Sequence, residues 1–186
     1  MLECYYSLYQ QNNDMVGWIK IPDTPVDYPV VKYSDNEFYL HKNFNKEYQF
    51  SGIPFLDYQS NDESVNKIIY AHNMKNGTMF ASLADYEDKS FYDAHKNIMY
   101  DTLYDKGEYE IVYAFTTKVG ASNEFKYYNY ADIESEERFN EYVTQAKSRS
   151  FYDTGVNTVY GDSLITLSTC AYHTSNERFV VIARKK

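Results

Sequence analysis

Cys170 ends the strand-like run "SLITLST" (163–169), and Arg178 opens the next one, "RFVVIAR" (178–184). Side chains alternate along a strand, so Leu164, Thr166, Ser168 and Cys170 share one face while Ile165, Leu167 and Thr169 take the other. The cysteine therefore has two hydroxyls on its face. If the two runs pair as an antiparallel hairpin, the loop 171–177 returns the chain to the same sheet end and makes Cys170 and Arg178 neighbours. A guanidinium there favours thiolate over thiol, and its planar fork can hold the oxyanion formed when a thiolate attacks a carbonyl. The plainer alternative is a buried cysteine acting as a small hydrophobe beside a surface arginine.

A cysteine nucleophile needs an acid/base partner to protonate its leaving group, usually histidine. The four candidates are His41, His72, His95 and His173. His173 is nearest in sequence, but it lies in the loop and no pattern fixes its orientation. His72 follows the strand-like "NKIIYA" (66–71), so a firm element delivers it to a sheet edge. His41 and His95 sit in polar stretches and read as ordinary surface residues. A metal site built from Cys170, His173 and another histidine is a weak reading, because one CxxH lacks a second paired motif. Cys4, in an aromatic helix, reads as inert.

The elements that position these groups are mostly strands. Short β-branched or aromatic runs recur at 16–21, 26–31, 52–56, 66–71, 97–101, 108–118, 163–169 and 178–184, with turn signals at "PDTP", "KNG" and "DKGE". Leu2 to Gln11 has mostly helical spacing, and 79–86 predicts a short helix. A longer helix is predicted at 131–150, with Phe139, Tyr142, Val143 and Ala146 on one face and Asp132 as N-cap. Glu134, Glu136 and Glu137 fall in its first turn and Lys147 and Arg149 in its last, as the helix dipole prefers. Eight strands with few long helices point to a mainly β fold, a closed barrel or a sandwich, with 131–150 inserted between two strands.

Composition narrows the function classes. The 186 residues suit one domain with a sizeable core. The net charge of −9 argues against nucleic-acid binding, and the one basic cluster is the terminal "RKK". Two cysteines allow at most one disulfide, so the fold must rest on its core. The 22 tyrosines imply an aromatic surface whose hydroxyls can face water or a ligand groove. No stretch approaches a membrane span or a signal peptide. The opening "MLECYYSLYQQ" looks like the middle of a helix, which suggests a segment upstream.

At this point the chain resembles the sortases, the cysteine transpeptidases that attach proteins to the cell wall of Gram-positive bacteria. "TLSTC" (166–170) resembles the family's TLxTC signature, with the arginine on the next strand, and "YAHNM" (70–74) its YGHN segment, with Ala71 in place of glycine. The resemblance is closest to class B, through "DYPVVKYSDNEFYLHKNF" (27–44), "HNMKNGTMFASLADY" (72–86) and "TLSTC" through "RFVV" (166–181). It implies a closed eight-stranded sortase-type β-barrel over about 16–186, an N-terminal helix at about 2–12 and the inserted helix, all one catalytic domain. A membrane anchor is expected upstream.

The same resemblance implies roles. Cys170 attacks the carbonyl of a threonine in a C-terminal sorting signal and forms a thioester. His72 protonates the leaving amine and later deprotonates the incoming one, while Arg178 holds the oxyanion. Asn36, Leu40 and Ser168 line the peptide groove. No cofactor or metal is implied. The partners are surface proteins bearing sorting signals and an amine of peptidoglycan or its lipid-linked precursor, at the extracellular face of the membrane. Two alternatives stay open: a cysteine peptidase that hydrolyses the same acyl-enzyme, and a non-catalytic barrel that binds a peptide or glycan.

Overall fold

The computed structural model describes residues 1–122, 124–170 and 176–186. Eight strands are present: β1 Met15–Lys20, β2 Asp27–Lys32, β3 Phe55–Leu56, β4 Asn66–Tyr70, β5 Asn97–Thr102, β6 Glu108–Lys118, β7 Leu164–Cys170 and β8 Glu177–Lys185. They close a barrel in the order β1-β2-β3-β4-β7-β8-β6-β5, with β5 returning to β1. The β2–β3 and β4–β7 pairs are parallel and the others antiparallel. Three α-helices accompany them: α1 Glu3–Gln11, α2 Lys89–Ala94 and α3 Glu136–Arg149.

The alternation in β7 sorts two cores. Ile165 and Leu167 point into the barrel with Ile19, Ile69, Ile111 and Val181. Leu164 lies on the outer face against Ile68, Val112 and Phe139, beneath α3. The two hydroxyls of that face serve the same packing. Thr166 Oγ1 meets Tyr142 OH at 2.6 Å and donates to Asn66 Oδ1 at 2.8 Å, and Ser168 Oγ meets Tyr127 OH at 2.6 Å. Buried hydroxyls need partners, and tyrosines from the inserted segment supply them. Tyrosine thus belongs to the core as much as to the surface: among the described residues ten tyrosines are buried, whereas Tyr6, Tyr33, Tyr48, Tyr58, Tyr104 and Tyr160 are exposed.

Several predicted boundaries need correction. The inserted helix starts at Glu136, and its cap is Ser135, whose side chain accepts from Arg138 N, in place of Asp132. Ala131 and Ile133 are fully or nearly fully buried, which pins the preceding segment to the core in irregular backbone. Glu136 and Glu137 still occupy the first turn, Lys147 and Arg149 the last, and Phe139, Tyr142 and Ala146 the buried face. The run 52–56 contributes strand pairing only at Phe55–Leu56, after Gly52 at φ 57°. The helix predicted at 79–86 is a 3-10 helix at Ala81–Glu87, and α2 and further 3-10 turns at Phe38–His41 and Tyr127–Tyr130 were not foreseen in the sequence pattern.

Candidate active site

Parallel pairing sets β4 and β7 side by side with Tyr70 opposite Ser168. Both strands end at one rim of the barrel, and β8, antiparallel to β7, begins there. Cys170 and Arg178 are register partners at the end of the β7–β8 ladder, as the hairpin argument requires. His72 follows β4 on the same rim. A cavity of about 180 Å³ opens there, lined by His72, Arg178, Asn36, Leu40 and Ser168 together with Phe55, Tyr70, Ala71 and Thr169. Every predicted site residue except Cys170, placed by its register, is therefore read off this one cavity wall.

His72 is held from the 3-10 turn at Phe38–His41. Its Nε2 lies 2.9 Å from the Leu40 carbonyl oxygen. A carbonyl only accepts, so Nε2 carries the hydrogen and Nδ1 is the nitrogen left to exchange a proton. Burial pushes the His72 pKa down, the Leu40 carbonyl opposes that shift, and the charge of His41 adds to it. The ring is thus neutral at neutral pH. The turn itself is fixed by the Asp35 carboxylate, which accepts from the backbone N–H of Glu37 at 2.8 Å and of Phe38 at 2.7 Å.

Ala71 occupies a place where the family pattern has glycine. Left-handed backbone among the described non-glycine residues occurs at Asp23, Lys46 and Met79, so Ala71 needs no glycine's freedom. Its N–H donates to the Ser168 carbonyl at 3.2 Å, which extends the β4–β7 pairing to the residue before His72.

Two residues of the cavity wall, Asn36 and Tyr70, are fastened by a buried carboxylate. Asp57, 3% exposed, accepts from Asn36 Nδ2 at 2.8 Å, from Tyr70 OH at 2.9 Å and from Gln59 N at 2.8 Å. Asn36 Oδ1 in turn accepts from Tyr58 N at 3.0 Å. Burial, reinforced by the Asp57 charge, drives the Tyr70 pKa far up, so its phenol stays a donor. Ser168 lines the cavity with its hydroxyl committed to Tyr127. Arg178 Nη1 donates to its neighbour's carbonyl, Glu177 O, at 3.1 Å.

Residues 19–186 match the family described as Sortase domain. The chain belongs to the sortase family. It is 39% identical over 165 residues to Sortase B of Listeria monocytogenes, covering 88% of this chain and 65% of that protein. It is 33% identical over 184 residues to Sortase B of Staphylococcus aureus, covering 97% of this chain and 73% of that one. Among solved structures, the Staphylococcus aureus sortase B–substrate complex superposes with a TM-score of 0.89 at 33% identity, covering 98% of this chain and 84% of that chain. A sortase B complexed with a glycine peptide gives 0.89 at 33% identity, covering 98% and 85%. Clostridium perfringens sortase B gives 0.88 at 33% identity, covering 97% and 98%. The sortase assignment is thus of class B, the closed mainly β barrel is the sortase B fold, and the enzyme class is cysteine transpeptidase.

Of the other histidines, His95 accompanies α2, with Nδ1 2.9 Å from the Phe91 carbonyl, and takes no part in the cavity. His173 lies outside the described residues. His41 corrects the reading of an ordinary surface residue: its ring stacks on His72 with centroids 5.2 Å apart. The signal available in sequence was its place in "FYLH", one residue after Leu40, but no periodicity announces a 3-10 turn. Cys4 is exposed, on α1, and does not line the cavity. Among the described residues no group of three His, Cys, Asp or Glu side chains is placed to hold a metal.

Proposed function

We propose that this sortase cleaves a C-terminal sorting signal after threonine and transfers the released protein to a peptidoglycan amine. The observation that carries the reading is the meeting of His72, Arg178 and the Cys170–Arg178 register pair at one rim cavity. Cys170 Sγ, as thiolate, attacks the threonine carbonyl carbon, and the Arg178 guanidinium holds the resulting oxyanion. His72, protonated at Nδ1, gives its proton to the departing amine, and the C–N bond breaks to leave a thioester. An incoming amine gives a proton to the now neutral His72 and displaces Cys170, forming the new amide. Neutral imidazole beside a cysteine means that only a minority of molecules hold thiolate and imidazolium together at neutral pH, so modest turnover is expected.

Asn36 and Leu40 line the groove for the peptide, and Ser168 supports it through its β7 position. The substrate and glycine-peptide complexes of related sortase B proteins support a peptide donor and an amine acceptor for this one. By family resemblance, residues 1–186 act as one catalytic domain at the extracellular face of the membrane, and the full-length protein carries an anchor. No helix among the described residues is long and apolar enough to cross a membrane.

The test is incubation with a sorting-type peptide and a glycine-bearing amine, followed by mass spectrometry. The ligated product is expected, and Cys170→Ala abolishes it. Ligation that survives in the alanine variant sinks the mechanism. Cleavage without amine-dependent product makes the protein a peptidase, and a thiol that reacts with iodoacetamide no faster than an exposed model thiol favours a binding module.

A further inference from the structure

His41 is tied to the imidazole of His72 by contacts that the proposed reaction has not used. The two rings stack with an interplanar angle of 22°, and Phe50 completes the cluster at 5.7 Å from His41 and 6.4 Å from His72. His41 is itself anchored: its Nδ1 donates to the Phe50 carbonyl at 2.9 Å, and its own carbonyl accepts from Gln49 N at 3.0 Å. Stacked rings present π faces to each other and not their nitrogens, so this contact passes no proton directly. It constrains the His72 ring plane, and it places a second titratable cation beside it.

We propose that His41 is a positioning residue for His72, holding its ring by stacking and setting how readily it takes a proton through the charge His41 itself acquires. The proposal rests on the reading of His72 as the acid/base group. The other groups facing His72 fit it. Leu40 and Phe50 are uncharged, Arg178 lines the same cavity as a cation, and Tyr70 is held neutral by burial. The Asp57 carboxylate is turned to Asn36 and Tyr70. Among these, His41 is the second imidazole, stacked on His72 and disfavouring a positive charge on it. A positive charge on His41 disfavours a second cation at 5.2 Å and so depletes the imidazolium form of His72.

The test is an NMR titration of ring-labelled histidine in the Cys170→Ala background, which removes any thiolate charge, with resonances assigned by single His→Gln substitutions. His41→Phe keeps an aromatic ring and removes the charge. The His72 midpoint is expected to rise by about half a unit or more, the size of a water-screened repulsion at this separation. An unchanged midpoint in the folded phenylalanine variant overturns the proposal. In the Cys170 enzyme, His41→Ala is expected to lower kcat several-fold with KM within about twofold, and His41→Phe to recover kcat relative to alanine at pH 8. An alanine variant with full kcat overturns it equally. If the unsubstituted chain ligates nothing, the functional reading falls, while the titration still decides whether the two rings are coupled.

Discussion

Two neighbours of His72 act on its proton in opposite senses, and burial decides the balance toward the neutral ring. A histidine whose folded pKa lies below its unfolded value binds fewer protons folded than unfolded. Its contribution to stability is therefore complete above pH about 6.5 and is lost as pH falls from there through the folded pKa. Chemical denaturation midpoints should decline between pH 7 and 5, and His72→Gln should flatten that slope; equal slopes in the two proteins refute it. Asp57 offers a second residue-scale prediction. It gathers three donors in a buried place, so Asp57→Asn turns an amide N–H₂ toward them and releases Asn36 and Tyr70. The expected cost is about 1–3 kcal/mol of stability and a KM raised roughly tenfold, measured by denaturation and steady-state kinetics, with kcat changed far less because the reacting groups are untouched. Cys170 and Arg178 were legible in sequence because strand register is itself a sequence property. Asp57 was not, since its importance arises from partners at positions 36 and 70 that only the folded chain brings to it.

The short elements carry more of the site than the long ones. The 3-10 turn at Phe38–His41 supplies the Leu40 carbonyl, the Leu40 side chain and the His41 ring, and Gly52 allows the next loop to close against it. Gly52 has φ 57°, and a Cβ there would lie 2.4 Å from the Leu40 carbonyl oxygen and 2.6 Å from that of Tyr39. Gly52→Ala must push the turn away and with it the acceptor of His72 Nε2. Activity should fall by about tenfold or more while far-UV circular dichroism stays unchanged; a fully active alanine variant excludes this role for the turn. The eight strands could be read from alternation and β-branched content, because a half-buried sheet imposes a period of two. The turn could not, since four residues hold no full period. The inserted helix was read correctly in its buried face and misplaced in its start, where burial of Ile133 outweighs the capping preference of Asp132.

At the scale of the whole molecule, the rim forms only when distant segments meet. Tyr70 and Ser168 are partners across 98 residues, and the intervening β5 and β6 lie elsewhere in the sheet order β4-β7-β8-β6-β5. That order was outside the reach of local pattern: each strand announces its edges but not its neighbours, and long-range pairing is decided by how both faces of β7 are buried. Because the proposed groups sit on β7 and β8 and just after the end of β4, loss of activity and loss of barrel structure should coincide in urea, monitored by ligation rate and tyrosine fluorescence. Activity vanishing well before the fluorescence transition would point to a site that frays independently of the barrel.

The parallel seating of β4 on β7 also bears on the protein's birth. A chain growing from its N-terminus makes His72 before β5, β6 and α3, with Cys170 still unsynthesised. Cys170 and Arg178 then emerge within a few residues of each other, and the same two strands that carry them fill the remaining gap in the barrel wall. On the proposed mechanism, arming Cys170 and sealing the barrel wall therefore coincide at the end of synthesis.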